Sequence, residues 1–207
     1  MQEQGYIPKD LSFDDKAREK LISGISKISN AVKSTLGPQG QTVLIESTEH
    51  TQGLTVTKDG VTVAKSIFLI DPVENLAVRM MKQASEKTAN TAGDGTTTAI
   101  VLTEALVKAG QKYINKGDNT IEIVREIRAA GEKIIKKIKS QSVKVTNEML
   151  EDIATISANN DSEIGEIIAK AYKEVGRDGI VTVERSQTDK TYAEVTNGIK
   201  VDRGYTS

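Results

Sequence analysis

The sequence predicts a mainly α chain with small β elements, an α+β fold, and three observations carry that reading. Apolar residues recur at three- and four-residue steps over most of the 207 residues. Short β-branched runs interrupt that period in a few places, and glycine-rich junctions punctuate it. With 37% hydrophobic residues the chain can bury a core, and its length allows one or two domains.

The elements follow in order. Ser12-Phe13-Asp14-Asp15 reads as a capping box with Asp15 in place of the usual Glu, and Leu21, Ile25, Ile28 and Val32 then mark the inner face of a first helix. Pro38 disfavours helical geometry at Gly37 and has no N–H to donate, so this helix stops near Gly37-Pro38. Thr42 to Glu46 and Leu54 to Thr57 are β-rich runs that predict a hairpin. The polar loop between them holds His50, read as a solvated side chain. Lys58-Asp59-Gly60 closes the second run with turn chemistry. Val61, Val63 and Ile67 fit either a strand or a short helix. After Asp71-Pro72 a helix with Leu76, Met80 and Ala84 on one face runs to about Asn90. It delivers the chain to Ala92-Gly93-Asp94-Gly95-Thr96-Thr97-Thr98-Ala99.

The next helix begins among the threonines, carries Val101, Leu102, Ala105, Leu106 and Ala109, and is expected to stop at Gly110. Another starts near Asn119 or Thr120, and its stripe of Ile121, Val124, Ile127, Ile134, Ile135 and Ile138 predicts burial against neighbouring helices. A polar link from Ser140 to Thr146 marks a candidate domain boundary. Two shorter helices are expected beyond it, about Asn147 to Ser157 and Ser162 to Val175, the second ending at Gly176. Strand signals then dominate, at Ile180 to Val183, Tyr192 to Val195 and Ile199 to Val201.

Composition removes several functions. The 28 basic and 29 acidic residues nearly cancel, so no global field favours nucleic acid or an anionic membrane. There is no cysteine for disulfide or thiolate chemistry, and one histidine cannot build a zinc site unaided. The N-terminus lacks a basic segment followed by an apolar one, and no stretch approaches the ~20 apolar residues that span a bilayer. The expectation is a soluble cytoplasmic protein.

Two readings of the threonine run stand side by side. A helix start leaves amides without intrahelical partners and attracts anions, so Thr96, Thr97 and Thr98 can cradle phosphate while Gly93 and Gly95 allow close backbone approach. A carboxylate at Asp94 then makes sense with a hard cation between it and the phosphate, and Mg²⁺ is the natural one. Alternatively Asp94 caps the helix and the threonines fill its first turn. Neither a P-loop, GxxxxGK[ST], nor a dinucleotide fingerprint is present. Thr35-Leu36-Gly37-Pro38-Gln39-Gly40 is a second helix-to-loop junction suited to approaching a ligand, or an ordinary helix stop.

In order and spacing, Thr35 to Pro38, Thr57-Lys58-Asp59-Gly60-Val61, Ala92 to Ala99 and Thr155-Ile156-Ser157-Ala158-Asn159 closely resemble the group I chaperonins, bacterial-type ring ATPases that refold proteins. Gly179 to Glu184 and Asp202-Arg203-Gly204-Tyr205 extend the likeness almost to the last residue. The resemblance implies a chaperonin equatorial helical domain, first segment and ATP-binding, over 1–141. It implies the first part of the intermediate hinge domain over 142–196, and the start of an apical domain over 197–207. It further implies an ATP/ADP site in which the backbone of Thr35, Leu36, Gly37 and Pro38 meets nucleotide and Lys58 lies near a K⁺ ion. Asp94 would ligate Mg²⁺, Gly95, Thr96, Thr97 and Thr98 would hold phosphates, and Asp59 would arrange the attacking water. Ser157 to Asn159 matches a nucleotide-proximal hinge segment, and Arg203 an arginine used in apical salt bridges. The implied partners are a homo-oligomeric ring, heptameric and single or double, with unfolded protein clients and a co-chaperonin lid.

This chain departs from the pattern at Gln39, where the family usually has lysine or arginine. The family's general-base aspartate, the elements that close over adenine and ribose, and most of the apical domain have no counterpart in these 207 residues. The leading expectation is the N-terminal portion of an ATP-hydrolysing chaperonin subunit. The alternatives are a short non-hydrolysing regulator or decoy that acts through ring contacts, and an unrelated helical phosphate-binding protein.

Overall fold

The structure, a computed structural model, describes residues 10–37, 39–46, 53–176, 179–196 and 198. Its elements are α1 (Asp14–Lys33), β1 (Val43–Glu46), β2 (Leu54–Thr57), α2 (Gly60–Ser66), α3 (Pro72–Ala92), α4 (Thr96–Ile114), α5 (Thr120–Gln141), α6 (Leu150–Ser157) and α7 (Ser162–Val175). The chain divides into two compact units, Met1–Ile134 and Ile135–Ser207. It is mostly helical with one small two-stranded sheet among the described residues, as the periodicity predicts.

In the first unit α1 does not form the predicted capping box. Phe13 occupies the cap position with no side-chain bond to the first turn, and Asp14 is left-handed at φ 72°. The helix therefore opens one residue too late for Ser12 to reach its amides, and Asp14 and Asp15 supply only the negative charge that a helix start favours. α3 starts after Asp71 as expected, with that aspartate as its cap. Asp71 accepts from Val73 N at 2.9 Å and Glu74 N at 3.1 Å, with Pro72 in the first turn.

β1 and β2 pair antiparallel with Val43 opposite Thr57 and Glu46 opposite Leu54. Alternation turns Val43 and Ile45 onto the core, which consists of Ile28 and Val32 of α1, Val63 and Ala64 of α2, Val78 and Met81 of α3, and Ile100 of α4. Burying each of the larger side chains contributes about 1.5–3 kcal/mol. The open choice at Val61 to Ile67 resolves as helix, because Asp59 caps α2 and Val63 and Ala64 both face inward.

Two inner faces differ from expectation. α3 buries Asn75, Ala77, Val78, Met81 and Ser85 while Leu76 and Met80 point outward. α4 buries Thr96, Ile100, Glu104 and Gly110 and leaves Leu102 and Leu106 exposed. Each helix turns a different, mixed polar and apolar stripe inward where α1, α3 and α4 pack together. α4 also continues through Gly110. A Cβ there would lie 3.8 Å from methyls of Ile123 and Ile127, an ordinary contact, so Gly110 lies next to α5 without being forced to be glycine. The stop comes at Gly117, φ 92°, where Gly117 N bonds Ile114 O and Asp118 N bonds Tyr113 O.

α5 forms as predicted, but none of its residues is buried, and Ile134, Ile135 and Ile138 are all more than half exposed. α4 covers only Ile123 and Ile127 of α5 in part, and the remainder of the stripe stays exposed among the described residues. In the second unit α6 and α7 pack on each other around Ala154, Ala169 and Ala171. Asp161 caps α7 through Ile164 N at 3.1 Å. α6 starts at Leu150, since Asn147 to Met149 form a turn. The β-rich runs at Ile180 to Val183 and Tyr192 to Val195 have extended chemistry but no strand to pair with among the described residues, and no sheet forms. The strand expected at Ile199 to Val201, like His50 and Arg203, lies outside the described residues.

Candidate functional site

Three helix–loop junctions of the first unit carry most of the predicted site. The first follows α3. Gly93 is left-handed, φ 75°, with its N–H on Ala89 O at 2.9 Å, and Gly95 is left-handed too, φ 84°. These two residues reverse the chain around Asp94 at a backbone cost only glycine avoids. Gly95 then occupies the cap position of α4, and no side chain caps that helix. Asp94 instead accepts from Gly95 N at 2.6 Å through Oδ1, and its other oxygen accepts no hydrogen bond among the described residues. Of the two readings of this motif, the simple helix cap is therefore not what forms. The first-turn amides of α4 keep their anion-attracting character, and the hydroxyls of Thr96, Thr97 and Thr98 make no hydrogen bond among the described residues.

The second junction joins β2 to α2. Asp59 accepts from Val61 N at 3.3 Å, Thr62 N at 3.0 Å and Thr62 Oγ1 at 2.6 Å. Burial pushes its carboxyl up, but the Thr62 and Val61 bonds, with the charge of Lys65, outweigh this and hold it below the ordinary aspartate value. A carboxylate of that kind stays ionised at neutral pH. It suits orienting a water better than taking its proton. Lys58 is exposed, and its ammonium has no partner among the described residues.

The third junction follows α1. Thr35 directs both its N–H (3.1 Å) and its Oγ1 (2.8 Å) to Val32 O, Leu36 N bonds Lys33 O at 3.1 Å, and Gly37 is left-handed at φ 80°. Gln41 N returns to Ser34 O at 2.7 Å, closing the turn. Pro38 lies outside the described residues, and Gln39 is exposed.

Gly60 joins the three. A Cβ there would fall 2.0 Å from Thr97 Oγ1 and 3.2 Å from Val32 Cγ1, so the start of α2 touches the first turn of α4 and the last turn of α1. Thr35 to Gly37, Lys58 and Asp59, and Asp94 to Thr98 thus flank a single contact. Ser157, the last residue of α6, belongs to the second unit and is exposed.

Sequence reasoning passed over Glu104. It is 2% exposed, accepts from Ser29 Oγ at 2.7 Å and from the Lys33 ammonium through Oε2, and from Lys108 Nζ at 2.6 Å through Oε1. Burial raises its pKa, and the bonds from Lys108, Lys33 and Ser29 more than reverse that, bringing it to about 2. The available signal was its spacing, eight residues beyond Thr96 on the stripe Thr96, Ile100, Glu104.

No group of three or more His, Asp or Glu side chains that could hold a metal occurs among the described residues. Any cation at Asp94 must complete its shell with phosphate and water oxygens, which suits Mg²⁺. A groove of about 390 Å³ between α4 and α5, lined by Leu106, Gly110, Tyr113, Ile123 and Ile127 among others, contains none of the predicted site residues. Among the described residues no helix is long and apolar enough to cross a membrane.

The first unit is thus mainly helical, with the starts of α2 and α4 and the end of α1 meeting at one tight contact. Residues 28–207 match the TCP-1/cpn60 chaperonin family, and the chain belongs to that family. Among solved structures it is similar to the chaperonin gp146 from bacteriophage EL 2 (Pseudomonas aeruginosa) in the presence of ATP-BeFx. In one crystal form the identity is 31% and the TM-score 0.67, covering 77% of this chain and 28% of that one. In a second form the values are 29% and 0.65, over 78% and 28%. A group III chaperonin in the open state is 26% identical, TM-score 0.63, over 77% of this chain and 32% of that one. This chain thus spans about a third or less of the length of the chaperonins it matches.

Proposed function

We propose that this chain is the N-terminal portion of an ATP-hydrolysing, ring-forming chaperonin subunit and carries the phosphate half of its nucleotide site. The observation that carries the reading is the uncapped start of α4, with three threonine hydroxyls that make no hydrogen bond among the described residues and Asp94 beside it. The amides of Thr96 to Thr98, after the turn at Gly95, take phosphate oxygens, and Asp94 supplies the carboxylate for Mg²⁺. That ion, when bound, neutralises phosphate charge. Asp59, ionised and held by Val61 and Thr62, orients the attacking water. The Thr35 to Gly37 turn would offer backbone to the nucleotide, as the motif implies for Pro38 too, and Lys58 would lie near a K⁺ ion. Positioning and charge neutralisation supply most of such catalysis.

The finer parts rest on the ordered motifs. These are group I character, a heptameric ring, folding clients, a lid, a cytoplasmic setting, the role of Ser157, and division into equatorial (1–141), intermediate (142–196) and apical (197–207) parts. Support for a longer subunit comes from the 28% share of the phage chaperonin that this chain covers.

The test is Asp94→Ala in the full chain, measuring MgADP affinity by calorimetry and ATP turnover with Mg²⁺ and K⁺. Loss of both is expected, and unchanged values refute the site. An intact mass near 22.4 kDa, with entry into rings but no turnover, would establish the regulator reading instead.

A further inference from the structure

Glu104 is the one buried carboxylate among the described residues, and the phosphate chemistry makes no use of it. An apolar side chain of similar size would fill the position without the cost of desolvating a charge. What the carboxylate adds is a tie between helices. Thr96, Ile100 and Glu104 form one buried stripe along α4, and Ser29 and Lys33 are successive positions on the facing side of α1. The Val32–Gly60–Thr97 contact pins α1 and α4 together at the site. Ile28 and Val32 also pack with Ile100 between the two helices, but apolar contacts carry little directionality and tolerate small rolls and shifts. Glu104, two turns beyond Thr96 on α4, adds a directional tie to Ser29 and Lys33 that fixes the roll.

Lys33 and Val32 are also the residues whose carbonyls hold the site turn, Lys33 O accepting Leu36 N and Val32 O accepting Thr35 N. A displacement of Lys33 passes directly through the main chain into Thr35 to Gly37. We infer that Glu104 is a positioning residue: through Ser29 and Lys33 it sets the register of α1 on α4, and hence the spacing between the Thr35 to Gly37 turn and the α4 amides. This rests on the phosphate-site reading.

The experiment measures MgADP affinity and thermal stability of the full chain carrying Lys33→Met, Glu104→Leu, the two combined, Lys108→Ala and Asp94→Ala. Lys33→Met and Glu104→Leu are each expected to weaken MgADP binding roughly 3- to 30-fold. The double variant should be no weaker than either, and Lys108→Ala, whose tie stays within α4, should bind within about two-fold of the parent. Lys33 is partly exposed, so its variant folds even if Glu104→Leu does not. Affinity that simply tracks melting temperature, multiplicative losses in the double variant, or an equal loss in Lys108→Ala overturns the assignment. If Asp94→Ala abolishes binding while Lys33→Met and Glu104→Leu bind normally, only the positioning role falls. If Asp94→Ala binds normally, the phosphate reading falls and takes this inference with it.

Discussion

Acid should release the Glu104 tie in a defined pH window. The carboxyl sits at about 2 against an ordinary 4.5. At about 1.4 kcal/mol per pH unit, the gap corresponds to about 3 kcal/mol of folding stability. The side chain is only 3% exposed, so solvent screens little of this. Because the folded value lies below the unfolded one, the contribution is complete above pH 4.5 and disappears as pH falls toward 2. Urea unfolding followed by circular dichroism at several pH values, for the parent chain and Glu104→Gln, measures it. At pH 7 the variant should be less stable by up to about 3 kcal/mol. The full penalty of a stranded buried charge is not expected, since Lys33 and Lys108 are 40% and 48% exposed and regain water. Between pH 4.5 and 2 the two curves should converge, because only the parent has this carboxylate to titrate. Parallel curves over that interval would refute the reasoning.

Other outcomes follow from particular contacts. Gly60→Ala places a methyl 2.0 Å from Thr97 Oγ1 and should cost about 1–3 kcal/mol in urea unfolding, with much of the loss recovered by adding Thr97→Ala. Asp59→Asn keeps a capping acceptor, so its melting curve should match the parent within about 0.5 kcal/mol, while ATP turnover of the full chain falls about a hundred-fold. Asp59→Ala should lose the same turnover and about 1 kcal/mol besides, read by the same melts. Ile138→Lys on α5, at a position 60% exposed, should change stability by no more than about 0.5 kcal/mol in the same unfolding assay.

What the sequence disclosed depended on whether the deciding physics was local. The hairpin, α3 after Asp71-Pro72 and α7 from Ser162 were legible because turn chemistry and period lie within a few residues. The Asp94 turn was legible for the same reason, since two glycines and a helix start suffice to state its geometry. Which face of a helix turns inward was not legible. Leu76 and Met80 on α3, and Leu102 and Leu106 on α4, satisfy the helical period as well as the buried residues do, and only the neighbouring helix decides between stripes. The stripe on α5 and the β-rich runs after α7 show the same limit, because a pattern that asks for a partner does not supply one. Glu104 escaped notice because charged residues read as solvated faces until a structure shows lysines from two directions closing over one.

The notch at Gly60 has one more consequence. With Thr97 seated against bare backbone there, the Asp59 loop and the first turn of α4 are dovetailed, with no side chain between them to act as a cushion. Neither piece can slide by even a methyl's width without dragging the other. In the proposed site, a phosphate held by the threonines would therefore also shift Asp59, and gripping and aiming would become a single mechanical event.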